Sequence, residues 1–144
     1  MPDRAVIRPG LVCLALLRGL GQLLGACAPS DAEGSGEAFA AAQRAQHAGR
    51  WEEAHRMFEE AAMLGDRYKD RDEAPLRAAD ALERLGRWDE AAATYRRVER
   101  ESGGRYQGVR AAFAAARLTG ERRGLEAGQK ETRRVIFAYP GSGL

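Results

Sequence analysis

Residues 49–61 read GRWEEAHRMFEEA, and residues 86–98 read GRWDEAAATYRRV. Gly-Arg-Trp recurs intact, an acidic pair follows, then Ala54 or Ala91, then Phe58 or Tyr95. Recurrence at a fixed spacing marks a chain built of stacked units rather than one folded around a single centre. Each position has a physical reason. Glycine at 49 and 86 ends one helix and turns the chain, because it enters the left-handed backbone region cheaply. The tryptophan that follows, Trp51 or Trp88, opens a second helix and covers the joint. Ala54 and Ala91 must be small where two antiparallel helices cross. Phe58 and Tyr95, four residues later on the same face, fill the space towards the next unit.

Working outward, helix 37–48 carries Ala38, Ala41, Ala42 and Ala45 at three- and four-residue spacing, and helix 74–85 carries Ala78, Ala79, Leu82 and Leu85. Pro75 is expected in the first turn of the latter, where it is tolerated. The partner helices should run over about 51–65 and 88–101, before Gly103-Gly104 breaks the chain. A degenerate third unit comes next, with helices over about 106–118 and 125–138 and a loop holding Gly120 and Gly124. Gly128 stands there where the crossing alanine would be, and Thr132 replaces the aromatic residue. Alternation of Val, Ile and Thr with polar residues is absent, so the fold class is all-α.

The chain resembles the tetratricopeptide repeat family over about residues 37–140, as repeats 37–70, 74–102 and 105–140. That resemblance implies a right-handed α-α superhelix of about three hairpins. It also implies a concave surface, lined by the first helix of each hairpin, that binds a peptide or a helix of another protein. Carried over by position, the groove residues are Phe39, Gln43 and His47 in the first repeat, and Glu73, Leu76, Asp80 and Glu83 in the second. The second set is acidic, which favours a basic ligand. The closing Tyr139-Pro140-Gly141-Ser142 resembles the Tyr-Pro-x-Ser junction of bacterial envelope proteins of this family, where it leads into the next repeat. Residues 141–144 therefore read as the start of a further repeat, and the sequence as truncated.

The first 27 residues, MPDRAVIRPGLVCLALLRGLGQLLGAC, run from basic to apolar to small residues, interrupted by Arg18. That is the order of a secretory signal. Leu24-Gly25-Ala26-Cys27 resembles a bacterial lipobox, which implies cleavage after Ala26 and acylation of Cys27. Several acyl chains on one residue anchor a protein stably, where a single chain binds marginally. Residues 27–36 are then a flexible tether, and the protein is expected on the periplasmic side of the cell envelope, lipid-anchored at the outer membrane. Both cysteines, Cys13 and Cys27, fall in this segment. A processed chain would hold no disulfide and no thiolate zinc site.

The formal net charge is +2. Removing Arg4, Arg8, Arg18 and Asp3 from the 23 basic and 21 acidic residues leaves the two signs equal and interspersed. The clustered basic face of a nucleic-acid binder is missing. His47 and His55 are the only histidines and read as surface or packing residues. The carboxylate pairs Glu52-Glu53, Glu59-Glu60 and Asp89-Glu90 read as solvated helix faces, with arginine partners such as Arg56 one turn away. No Gly-rich phosphate loop or metalloprotease motif occurs. The expectation is a non-catalytic scaffold without metal or cofactor. The alternatives are a docking arm of a larger envelope enzyme or assembly factor truncated at residue 144, or a cytoplasmic adaptor should the amino terminus not be a signal.

Overall fold

The computed structural model describes residues 31–65 and 68–142, with side chains over 34–65 and 72–142. The expectations for residues 1–26, including Ala26, and for Cys27 lie outside the described residues. Gly49 and Gly86 adopt φ of 72° and 74°, as the turn reading required. In both turns the glycine N–H donates three residues back (Gly49 to Gln46, Gly86 to Glu83), and the following arginine N–H donates five back (Arg50 to Ala45, Arg87 to Leu82). This paired pattern satisfies the last carbonyls of a helix and reverses the chain.

The described helices are α1 (Asp31–His47), α2 (Trp51–Leu64), α3 (Tyr68–Arg84), α4 (Trp88–Ser102), α5 (Tyr106–Arg123) and α6 (Leu125–Ala138). They form three antiparallel hairpins, α1–α2, α3–α4 and α5–α6, and each hairpin packs its second helix against the first helix of the next. The fold is all-α. No helix among the described residues is long and apolar enough to cross a membrane.

Three boundaries differ from expectation, each because tertiary packing outweighs local propensity. First, α1 starts at Asp31, so Asp31–Gly36 is helix rather than tether. Gly34 and Gly36 each cost such a helix about 1 kcal/mol, but the turn buries Ser35 completely. Second, α3 starts at Tyr68, so most of 66–73 is helix rather than a solvated linker, and Pro75 sits inside the helix rather than in its first turn. Asp72 in that stretch is 3% exposed and accepts a bond from Arg105 at 3.0 Å. Third, α5 runs through Gly120 to Arg123, leaving Gly124 (φ 96°) as a one-residue joint to α6.

The core follows the repeat. Successive alanines divide their work: Ala78 joins the cluster of Ala54 and Phe58 below it, while Ala79 joins that of Ala91 and Tyr95 above. Ala111 and Ala115 likewise face the second hairpin, and Ala112 and Ala116 face their own partner helix at Val135. Ala54 and Ala91 are fully buried at their crossings. At the third crossing the backbones come closer still: a Cβ on Gly128 would stand 2.6 Å from the Cα of Gly120. The glycine pair lets α5 and α6 touch.

Ion pairs reinforce the stack with a consistent sense. Glu52 binds Arg87, Glu59 binds Arg97, Asp72 binds Arg105, Glu73 binds Arg110, Glu83 binds Arg117 and Glu99 binds Arg134. The partners are separated by 33 to 38 residues, about one repeat. In every such pair the acid comes first. Glu52 thus reaches Arg87 at 3.2 Å in the next repeat, instead of the expected Arg56 on its own helix.

Candidate functional site

A cleft of about 580 Å³ lies where the first helices of the three hairpins line up, walled by Gln46 of α1, by Arg77, Asp80, Glu83 and Arg84 of α3, and by Arg117 and Glu121 of α5, with Trp51 and Trp88 at its edge. Each tryptophan opens the second helix of its hairpin and is half-buried. Arg84 lies over the Trp51 ring and Arg122 over the Trp88 ring, both 5.5 Å from the centroid. Stacking on the negative face of an indole attracts a guanidinium by about 0.5–1 kcal/mol at exposed sites. In each case the arginine closes the first helix of the following hairpin, so the same device repeats at successive joints.

The acids of the cleft are held by the protein itself. The Tyr95 hydroxyl lies 2.6 Å from Asp80 Oδ1 and 2.7 Å from Glu83 Oε1. A phenol has one proton to donate, so only one of these contacts can be its hydrogen bond at a given moment. The other oxygen pair is stable when a carboxyl carries a proton. Burial pushes the Asp80 carboxyl above its ordinary value, against the lowering effect of the Tyr95 bond and Arg77. Burial, with the two acids beside it, also holds the Tyr95 phenol well above its ordinary value. Glu83 receives Arg117 through both carboxylate oxygens, at 2.6 and 2.8 Å. That fork holds the Arg117 guanidinium above its usual range.

The residues assigned to the groove from sequence therefore divide. Gln43 and His47 are exposed on α1. Phe39 instead turns inward, edge-on to Phe58 with centroids 5.3 Å apart. Leu76 is 2% exposed and belongs to the core, because α3 presents that face to its own hairpin partner. Glu73 is bonded to Arg77 and Arg110, and Asp80 and Glu83 are bonded to Tyr95. The acidic character expected of this face is thus balanced by arginines, which removes the ground for favouring a basic ligand. Of the motif residues, Gly49, Gly86, Trp51, Trp88, Ala54, Ala91, Phe58 and Tyr95 hold their packing places, Tyr95 with the added polar role.

Sequence reasoning did not single out Arg84, Arg122 or Arg117. The signal was present, since Arg84 and Arg122 follow Trp51 and Trp88 at nearly the repeat spacing. His55 is half-buried rather than on a free polar face, with Nδ1 3.3 Å from the Ala78 carbonyl. Among the described residues no group of three or more His, Cys, Asp or Glu side chains could hold a metal ion.

Helical hairpins repeated in tandem, joined by one turn motif and stacked through alternating small residues, define a helical-repeat protein. Residues 45–113, which span the end of α1 to the middle of α5, match the family model described as tetratricopeptide repeat. Repeats of this family generally mediate protein–protein interaction. No curated protein and no solved structure matches the chain significantly.

Proposed function

We propose that this protein is a non-catalytic scaffold of the bacterial cell envelope, anchored by an acylated Cys27, that holds a segment of another protein in the cleft along α1, α3 and α5. The observation that carries the binding reading is the pair of half-buried tryptophans, each flattened under an arginine, at the edge of one continuous cleft. Aromatic and arginine side chains are the types that dominate binding energy at protein interfaces. Arg84 forms no ion pair among the described residues, whereas the neighbouring acids are bonded internally. The fitting ligand is a peptide or helix that sets apolar side chains against Trp51 and Trp88 and a carboxylate against Arg84.

A photo-crosslinking residue at Gln46 tests this in the native host. It should capture a discrete partner, and Trp51→Ala with Arg84→Ala should abolish the adduct while leaving the fold intact by circular dichroism. Capture unaffected by both changes would refute the cleft as the binding face. The anchor rests on Leu24-Gly25-Ala26-Cys27 and is tested separately. Cys27→Ser should remove fatty-acid labelling, and labelling that survives the change refutes lipidation.

A further inference from the structure

Because each hairpin is antiparallel, the first residues of α1, α3 and α5 and the last turns of α2, α4 and α6 meet at one edge of the stack. The tryptophans of the cleft open α2 and α4 at the opposite edge. Apart from Leu125 and Ile136, which line the groove between α5 and α6, every exposed large hydrophobic among the described residues stands at the first edge. Met63 and Leu64 end α2, Tyr106 opens α5, and Phe137 lies in the last turn of α6. Single exposed apolar residues are ordinary on any surface, but a row gathered at one edge marks an interaction site. The outward placement belongs to the repeat. Met63, Arg100 and Phe137 hold the same place in α2, α4 and α6, counted from Trp51, Trp88 and Leu125. Met63 is 79% exposed and Arg100 is exposed although a further hairpin follows each, and Phe137 is 80% exposed.

Basic residues accompany the row. Arg96 and Arg100, one turn apart on α4, and Arg133, one turn before Phe137 on α6, are exposed and form no ion pair among the described residues. The acids beside them, Glu99 and Glu131, are both held by Arg134. Glu60 and Glu101 are the exposed acids on the described ends of α2 and α4. Arg110 lies over the Tyr106 ring, 5.6 Å from its centroid. Tyrosine with an apolar body and a polar tip, and arginine with an apolar stem and a charged head, are the side chains that settle at a lipid–water boundary.

We infer that this edge lies against an anionic bilayer surface, with Met63, Tyr106 and Phe137 set into the boundary and Arg96, Arg100 and Arg133 against lipid phosphates. The orientation rests on the anchored reading proposed above. Cys27 precedes Asp31, which opens α1 at this edge, by four residues, and four residues span at most about 14 Å. An acyl group on Cys27 thus holds this edge, and no other, near the lipid. The start of α1 at Asp31 in place of a tether to residue 36 is what shortens that reach. The excess of unpaired arginine selects an anionic over a neutral surface. The tryptophan end of the cleft then points away from the membrane, open to the protein segment it holds.

Fluorescence quenching tests this with the full chain in vesicles of phosphatidylglycerol and phosphatidylethanolamine whose acyl chains are brominated near the headgroup. Trp51 and Trp88, at the opposite edge, should keep their emission. An indole added by Met63→Trp or Phe137→Trp should lose most of its emission, and Arg96→Glu with Arg100→Glu should restore much of it. These four positions are exposed, so the variants keep the fold, which circular dichroism verifies. Added indoles left unquenched, or Trp51 and Trp88 quenched as strongly, overturn the inference whether or not Cys27 carries fatty acid. Fatty-acid labelling of the same samples judges the anchor separately, since quenched indoles without labelling support the surface contact and refute acylation alone. Sedimentation showing a dimer that Phe137→Glu dissolves also overturns the inference, because a second copy would then cover this edge.

Discussion

Replacing Gly128 with alanine sets two effects against each other. On helix propensity alone, alanine in the interior of α6 should stabilise it by about 1 kcal/mol. The new Cβ, however, would stand 2.6 Å from Gly120 Cα and 3.1 Å from its nitrogen. Carbon atoms rest about 3.5–4.0 Å apart, so the helices must part by about 1 Å. Both atoms it meets are backbone, which cannot rotate away. Overpacking of this kind costs about 1–3 kcal/mol, so the net change is a loss of up to about 2 kcal/mol. Gly120→Ala is the internal control, because its Cβ would meet Gly128 Cα at 3.3 Å, a gap a small shift relieves. Urea melts of the two variants should rank Gly128→Ala as the less stable. Hydrogen exchange should place the loosening in α6 and in Val135, which is fully buried against α5. If Gly128→Ala melts later than the parent, the close approach of the two helices is wrong.

Other outcomes rest on the same packing. Ala91→Leu at the second crossing should lose roughly 1–3 kcal/mol in a thermal melt through overpacking, and Trp88→Ala should cost less than the roughly 3–5 kcal/mol of a fully buried aromatic, because the indole is only half-buried. Asp80 has its folded-state value raised above 3.8, so its contribution to stability is complete below that pH and lost as pH climbs through the raised value. Asp80→Asn, which cannot ionise, should therefore melt no lower than the parent at pH 7 and lose that advantage near pH 3, and a variant that is less stable at neutral pH would refute the burial argument. Glu99, 9% exposed, holds both Arg134 at 2.8 Å and Tyr139 at 3.3 Å. Glu99→Ala should cost about 0.5–1.5 kcal/mol, because exposed Arg134 keeps its bond to Glu131 at 2.9 Å, and the loss is read as faster amide exchange over 125–138.

The repeat was legible because its marks are short and local. Gly-Arg-Trp, a small residue at the crossing and an aromatic residue a turn later each follow from backbone and packing rules that need no distant partner. The starts of α1 and α3 were not legible, because Gly34, Gly36 and Pro75 argue against helix locally. Only burial of Ser35 and Asp72 by other segments reverses that local preference. The cleft was half legible. The first helices line it as expected, but whether Asp80 and Glu83 are available depends on Tyr95 and Arg117, which come from other helices. A hydropathy pattern can say that Leu76 is apolar. It cannot say which side of α3 meets α4.

The fixed order of the inter-repeat ion pairs, acid first and arginine about one repeat later, has a consequence for how such a chain can grow. The middle hairpin offers Arg87 and Arg97 to the hairpin before it, and Asp72, Glu73, Glu83 and Glu99 to the hairpin after it. It is therefore a module with a plug at one end and a socket at the other. A gene segment encoding it, copied in tandem, would not fit itself: one repeat before Arg110 and Arg117 the middle hairpin carries Glu73 and Asp80, so acid would meet acid. Lengthening by exact duplication therefore needs arginine to be restored at those two positions.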